Sequence, residues 1–351
     1  MTNLPERARY FFFPWRLKSC ILSKLLRRVV REAFPDRTST NCGGFLSRQS
    51  PHCDICATRT RSARERTNVC MPKILEKKML RKPDVLYFKV AAPLISKKAL
   101  PGQFVILRLH AKGERIPLSL ADIDPADGAI SLVVMAVGKT TKEMSLMEPG
   151  DEILDLCGPL GNPTHIEQVG KVILVGGGFG VAPLYPIARA FRAAGNKVVC
   201  AMGARSRDLL VYEKEMESVC SRVLVATDDG SKGMKGLVTQ ALHGELEQGG
   251  TGLVVAVGPT AMMRAVSDTT RSFGVKTVVS LNPIMVDGTG MCGGCRVSVG
   301  GRTFFACIDG PEFDGHLVDW DILSARQRTY TAEQQESFDT WKHRHAGLLC
   351  E

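Results

Sequence analysis

The sequence predicts a multi-domain α+β protein. An antiparallel Greek-key β-barrel comes first, a doubly wound parallel α/β sheet second, and a small glycine-rich cysteine loop domain last. Three observations carry this. Between residues 71 and 165, short apolar runs are separated by turn signals about every eight to twelve residues, the pattern of a small antiparallel barrel. Between residues 170 and 280, β-branched runs alternate with helical patterns, as in a parallel sheet wrapped by helices. Between Leu281 and Trp320, three cysteines stand among glycines at C-x2-C-x11-C spacing.

Length and composition set the frame. The chain has 351 residues, 44% of them hydrophobic and 23% charged, which suits two or three globular domains. No run of about 18 apolar residues exists, so no transmembrane helix is expected, and a cytoplasmic location is. Twelve cysteines without a signal-peptide pattern read as thiols and metal ligands rather than disulfides. The net charge of +10 is confined to one end: residues 1–70 hold 14 Lys+Arg against 5 Asp+Glu. The remainder is nearly neutral and offers no basic groove, which excludes nucleic acid as a partner of the globular body.

Residues 1–70 are arginine-rich, acid-poor and without a sustained period, and are expected to be a disordered or non-native extension. Other readings are an organellar transit peptide, a membrane-surface helix over Leu17–Val30, or a metal knuckle from Cys42, Cys53, Cys56 and Cys70.

Residues 71–167 form the predicted barrel. ILEKKML, DVLYFKVAA, QFVILRLH, AISLVVMAV and DEILDLCGP are its strands, divided by turns such as Pro101-Gly102 and Pro149-Gly150. Two stretches stand out as candidate sites. One is Arg115-Ile116-Pro117-Leu118-Ser119. The other is Gly138-Lys139-Thr140-Thr141, which opens a predicted helix over Thr141–Met147. Such a turn presents free N–H groups to an anion such as pyrophosphate.

Residues 168–280 form the predicted nucleotide-binding sheet. Lys171–Val175 is a buried-strand run that enters Gly176-Gly177-Gly178-Phe179-Gly180-Val181-Ala182-Pro183, followed by a helix over Leu184–Ala194. Strand, glycine loop and helix are the context in which glycines let the backbone approach a pyrophosphate at a helix N-terminus. Strands over Lys197–Gly203, Arg222–Thr227, Gly252–Val257 and Val275–Ser280 alternate with helices over Leu209–Ser218, Val238–Leu246 and Thr260–Phe273. The loops at the strand C-termini hold Gly203 with Arg205, Asp228 with Asp229, and Gly258, Pro259 and Met262. Arg205 and Arg207 can pair with a 2′-phosphate, whereas Asp228 and Asp229 can hold ribose hydroxyls, so NADP(H) and NAD(H) both stay open on the residues alone.

Residues 281–325 form the cysteine segment. Cys292, Cys295 and Cys307 follow Asp287, which stands where a C-x4-C-x2-C pattern would place a further cysteine. That pattern is the plant-type spacing for a [2Fe–2S] cluster. Asp287 is an anionic donor, so the four residues make a ligand set of the same charge as four thiolates. Glycines at 288, 290, 293 and 294 suit a loop wrapped closely round a cluster. Structural zinc sites usually pair two C-x2-C knuckles, and a lone third cysteine suits zinc less well. Cys157, Cys200 and Cys220 read as core thiols. The tail, residues 326–351, carries a polar helix over Thr331–Arg344, with Phe338 and Trp341 spaced to pack on one face.

Taken in order, R-x-P-L-S, the G-x-T-T turn, C-G-P-L-G-N-P (Cys157–Pro163) and the glycine-rich loop resemble the ferredoxin–NADP reductase superfamily. The resemblance implies that Arg115 binds a flavin pyrophosphate, that Leu118 lies against the flavin ring and that Ser119 approaches its N5. The superfamily often has tyrosine where Leu118 stands. G-P-x-x-M, here Gly258–Met262, would border the nicotinamide. With the cysteine loop added, residues 71–325 are similar to electron-transfer subunits of B-type dihydroorotate dehydrogenase. They are more similar to small subunits of NADH-dependent reduced ferredoxin–NADP oxidoreductase, also called sulfide dehydrogenase. The features that favour the second are Asp287 and the run Phe305–His316. The resemblance implies FAD, a [2Fe–2S] cluster and NAD(H) as cofactors. It further implies a heterodimer with a larger FAD/[4Fe–4S] flavoprotein related to the glutamate synthase small subunit, with ferredoxin acting through that partner. No acid–base pair or nucleophile for further chemistry is evident, which agrees with a second half-reaction on another chain. A stand-alone flavin reductase and a zinc-binding adaptor with a vestigial nucleotide fold are the competing readings.

Overall fold

The computed structural model describes residues 71–81 and 85–345. The expectations for residues 1–70, and the turn at Lys82–Asp84, lie outside the described residues.

Six strands make the first layer: β1 (Ile74–Arg81), β2 (Val85–Ala91), β3 (Phe104–Arg108), β4 (Ile116–Asp124), β5 (Ala129–Met135) and β6 (Asp155–Leu160). All pair antiparallel in the order β1-β2-β5-β4-β3-β6. The two edges meet just outside the strands. Ile74 N donates to the Asp151 carbonyl at 3.0 Å and Ile153 N to the Pro72 carbonyl at 2.8 Å, which closes the sheet into a barrel. Alternate residues of β2 (Leu86, Phe88, Val90) and β5 (Ile130, Leu132, Val134) fill its interior. Helix α1 is the short turn Pro93–Ser96, and α2 (Lys139–Ser145) sends Met144 into the same core.

The predicted strands recover five of these six. The missing one is β4, and its sequence explains why. Pro117 interrupts the pattern, and proline is tolerated only where a strand edge is free. Ile116–Ser119 pair with β3, whereas pairing with β5 begins at Leu120, so the other edge of residues 116–119 is open. Cys157 is a correction: it is exposed. Its neighbour Leu156 takes the inward position on β6, and side chains alternate between faces.

The second layer is a seven-stranded sheet in the order β10-β9-β8-β7-β11-β12-β15. β7 (Lys171–Gly177), β8 (Lys197–Ala204), β9 (Arg222–Thr227), β11 (Thr251–Val257) and β12 (Thr277–Ser280) are parallel, and the two-residue β10 (Met234–Lys235) extends one edge. Helices α3 (Leu184–Ala193) and α4 (Glu213–Val219) cover one face, against Val172, Leu174, Val198 and Cys200. Helices α5 (Val238–Glu247) and α6 (Thr260–Ser272) cover the other, against Ile173, Val175 and Val199. The helix predicted from Leu209 begins only at Glu213. Residues 210–211 instead bury Leu210 and Val211, the latter with Val85, Ala121 and Val133 of the barrel, and Tyr212 adopts a left-handed φ of 60° that blocks an earlier start.

The cysteine segment adds β13 (Arg296–Val299) and β14 (Arg302–Phe305), which pair as a hairpin, and β15 (Glu312–Asp314). β15 joins the large sheet antiparallel to β12. Cys295, Val297, Ala306 and Cys307 share one apolar core with Ile173 and Val175 of the sheet and with Phe104 and Ile106 of the barrel. Helix α7 (Trp320–Gln327) follows, capped by Asp319, whose Oδ1 accepts from Ile322 N at 2.9 Å. Helix α8 (Thr331–Arg344) matches the predicted tail helix. Its Trp341 is buried and stacks on Phe338, and the helix packs against α2.

Candidate functional site

Chain order reverses at β7: the next strands β8 and β9 lie to one side, and β11 and β12 to the other. Open α/β sheets bind ligands at such a switch point, beyond the strand C-termini. Two cavities lie there. The larger, about 600 Å³, is lined by Gly177, Gly178, Gly203, Arg205, Asp228 and Met262, among others. The smaller, about 300 Å³, opens between the sheet and the barrel and is lined by Pro117, Leu118, Ser119, Gly180, Ala182, Pro183 and Gly258, with others. Gly177, Phe179 and Pro259 line both, so the cavities adjoin.

The glycines have two jobs here. A Cβ on Gly177 would lie 2.6 Å from Met262 Sδ and 2.8 Å from Pro259 Cδ, so the absent side chain is what lets the G-P-x-x-M loop close over β7. Gly178 has φ of 56° and open space where a Cβ would stand, which leaves bare backbone facing the larger cavity. Gly176 and Val181 line neither cavity. Val181 is buried, and its side chain fills the place of a Gly176 Cβ.

On the barrel side, the open edge of β4 presents Leu118 and Ser119 to the smaller cavity. Ser119 is exposed, and its hydroxyl has no protein partner among the described residues, so it is available to a ligand. Arg115 and the Gly138–Thr141 turn stand outside both linings. Arg115 faces Asp155 at 3.8 Å. Gly138 N donates to Thr141 Oγ1 at 3.0 Å, and Thr140 Oγ1 to Glu114 Oε2 at 2.8 Å, so the turn is tied to Glu114, the residue preceding Arg115. Lys139 Nζ lies 3.5 Å from the same carboxylate.

Arg205 and Asp228 meet in the larger cavity, while Asp229 turns away, accepting from the N and Oγ of Ser231 at 2.9 and 2.6 Å. These bonds hold the Asp229 carboxyl below the usual carboxylate range.

The cysteine loop carries a second set of candidate ligands. Cys295 and Cys307 are buried with their sulfurs 3.2 Å apart, too long for a disulfide of about 2.0 Å. Two thiolates on one tetrahedral metal lie roughly 3.7 Å apart, close to this spacing. Burial pushes the Cys307 thiol up to about 12, and the Cys295 thiol adds to the shift. Cys292 is exposed, with Gly294 N 3.4 Å from its sulfur. Asp287 accepts from Thr289 N at 2.9 Å and from Cys292 N at 2.8 Å. Its carboxyl is held below the usual range, first by the Thr289 amide, and is therefore an anion beside Cys292. Among the described residues no three His, Cys, Asp or Glu side chains converge on one point; Cys295 and Cys307 approach through their sulfurs, and Asp287 reaches the Cys292 amide.

Sequence reasoning missed several cavity residues. Phe104, Leu281, Pro283, Met285 and Pro311 line the smaller cavity, and Leu237 and Thr239 the larger. None belongs to a motif. Phe179 lay inside the glycine run but was not singled out, although it is 44% exposed between the two cavities.

Comparison with known proteins agrees with this division of labour. Residues 174–268 match the oxidoreductase NAD-binding domain, and residues 282–319 match the iron–sulfur cluster binding domain of dihydroorotate dehydrogenase B. A Thermotoga maritima protein described as a dihydroorotate dehydrogenase B (NAD(+)) electron transfer subunit homolog is 52% identical over 263 residues, covering 75% of this chain and 93% of its own. The electron transfer subunit from Bacillus caldolyticus is 35% identical over 229 residues, covering 63% and 87%. A solved structure reported as "Insights into flavin-based electron bifurcation via the NADH-dependent reduced ferredoxin-NADP oxidoreductase structure" superposes with a TM-score of 0.73 at 49% identity. It covers 78% of this chain and 99% of that one. A ferredoxin reductase of carbazole 1,9a-dioxygenase, at 22% identity and a TM-score of 0.51, shares the fold over 58% of this chain and 66% of its own. No helix among the described residues is long and apolar enough to cross a membrane.

Proposed function

The chain belongs to the family of dihydroorotate dehydrogenase B electron-transfer subunits, and from that premise we propose a specific assignment of parts. It carries electrons between NAD(H), FAD and a [2Fe–2S] cluster, and exchanges them with a larger iron–sulfur flavoprotein, in the manner of a flavin-based bifurcating ferredoxin:NADP+ oxidoreductase. The observation that carries the reading is the adjacency of the two cavities, one walled by the open edge of β4 and the other by the nucleotide loops, with the cysteine loop packed on the same core.

The barrel, residues 71–167, holds FAD. Leu118 and Pro117 form an apolar wall for the flavin ring, and the unpaired Ser119 Oγ supplies a hydrogen bond at its edge. Arg115, Lys139, Thr140 and Thr141 serve the pyrophosphate, which would compete with Glu114 for the Lys139 and Thr140 donors. The sheet, residues 168–280, holds the dinucleotide. Gly177 and Gly178 offer close backbone, Gly180 and Gly258 face the adjoining flavin cavity, Pro259 and Met262 form the wall nearest it, and Asp228 accepts ribose hydroxyls, which favours NAD(H) over NADP(H). When bound, the flavin supplies the conversion between hydride transfer and single-electron steps.

Within residues 281–325, Asp287, Cys292, Cys295 and Cys307 would hold the cluster. The free lone pairs of Asp287 remain after its two amide bonds. Exposed apolar side chains surround Cys292: Met291 is 89% exposed, with Val286 and Ile308 also exposed. This face suits a partner that receives electrons from the cluster.

Metal and flavin analysis of the full chain tests the assignment. It predicts FAD, iron and acid-labile sulfide together. A Cys307→Ser variant should lose the iron and sulfide while keeping FAD. Zinc in place of iron would overturn the cluster assignment.

A further inference from the structure

Arg326 lies beyond the matched cluster segment, in the last turn of α7. The helix is pinned at three places. Trp320 and Leu323 bury in the core that contains Cys295 and Cys307. Gln327 Nε2 donates to the carbonyl and Oδ1 of Asn282 at 3.1 and 2.9 Å. Thr260 Oγ1, at the start of α6, donates to Gln327 Oε1 at 2.9 Å. From this fixed base Arg326 reaches the cysteine loop, and its Nη2 donates to the Gly294 carbonyl at 3.0 Å. Gly294 lies between the two cysteines of the C-x2-C pair, immediately before Cys295, and its own N–H faces Cys292 Sγ.

Two further facts set this arginine apart. Its Nε is fully buried and has no acceptor among the described residues. It also has no carboxylate partner among them. Arg326 is partly buried as a residue, but its Nε is out of water with no acceptor, which is costly unless an anion is nearby. A [2Fe–2S] cluster with three thiolates and one carboxylate is such an anion: a dianion when oxidised, a trianion when reduced.

We infer that Arg326 is the counter-charge of the cluster, a positioning residue that holds the Gly294–Cys295 peptide and raises the cluster's reduction potential. The inference rests on the iron–sulfur reading above. The cation favours the more negative, reduced state, because the attraction grows with each added electron in a site of low dielectric.

The test is a redox titration of the cluster followed by EPR, on the full chain and three variants. Arg326→Gln removes the charge, and because its amide ends where Arg326 Nε stands it also gives up the bond to the Gly294 carbonyl. Arg326→Lys keeps the charge. Arg328→Gln removes a charge at the exposed C-cap of the same helix and serves as the control. The expected result is at least a tenfold fall in the equilibrium constant for reduction in Arg326→Gln, about 59 mV for a one-electron couple. Arg326→Lys should stay near the wild-type value, and Arg328→Gln should match it. An Arg326→Gln protein that loses its iron while Arg326→Lys keeps it would support the same role. A potential unchanged in Arg326→Gln, or lowered equally by Arg326→Lys, would overturn it, as would loss of iron from both. A wild-type chain without iron and sulfide would instead remove the reading on which the inference rests.

Discussion

At the scale of the residue, Ser119 and Glu312 make separable claims. Ser119 contributes a free hydroxyl to the cavity without supporting the fold, since its side chain bonds to nothing else. Ser119→Ala should therefore leave FAD content and melting temperature unchanged while slowing flavin bleaching by NADH about tenfold or more, as expected when a positioned hydrogen-bonding group is lost. Anaerobic stopped-flow absorbance measures this, and an unchanged rate would remove Ser119 from the site. Glu312 sits on β15 and accepts from Thr164 Oγ1 at 2.6 Å. Burial pushes its carboxyl from 4.5 up to about 7. The folded chain then binds that proton more tightly than the unfolded chain, so the associated stability is complete below about 4.5 and is lost as pH rises toward about 7. Melting temperature against pH should show this decline in the wild type and a flatter profile in Glu312→Gln. Parallel profiles would mean that Glu312 titrates normally.

At the scale of the element, the fit of the β7 loop against the G-P-x-x-M loop is steric, and Gly177 is its tightest point. Gly177→Ala drives a methyl into Met262 Sδ and Pro259 Cδ. We expect a cost of about 1–3 kcal/mol in urea unfolding, as for overpacking elsewhere, together with weakened NADH binding. Full stability with normal binding would show that the loop yields freely. The element scale also shows what was legible in the sequence. β7, β8 and β11 were readable because each is an apolar run buried on both faces, and β9 because Val223–Val225 continue the apolar pattern although they are only half-buried. β4 was not, because Pro117 is acceptable only on an edge left free by the pairing of other strands. β15 was not, because three residues, Glu312–Asp314, become a strand only through their pairing with β12.

At the scale of the whole molecule, the cysteine segment is built into the body of the protein. Asn162 of the barrel bonds to the carbonyls of Ile308, Asp309 and Gly310, β15 extends the large sheet, and the buried cysteines share its core. Of the residues singled out in the sequence, Pro117, Leu118, Ser119, Gly177, Gly178, Gly180, Gly203, Arg205, Asp228 and the G-P-x-x-M loop line the cavities, whereas Arg115, the Gly138–Thr141 turn, Gly176, Val181 and Asp229 do not. Phe104, Leu281 and Pro311 were not legible, because ordinary apolar residues become site residues only when three parts of the chain converge. That convergence underlies the central proposal: a path from nucleotide to flavin to cluster. The measurement that tests it most directly is absorbance and EPR of the anaerobically purified full chain, before and after NADH. The account predicts flavin absorption that bleaches with NADH and a reduced [2Fe–2S] signal that appears with it. A colourless zinc protein indifferent to NADH, or a flavin that bleaches while an intact cluster stays oxidised in the presence of excess NADH, would contradict it.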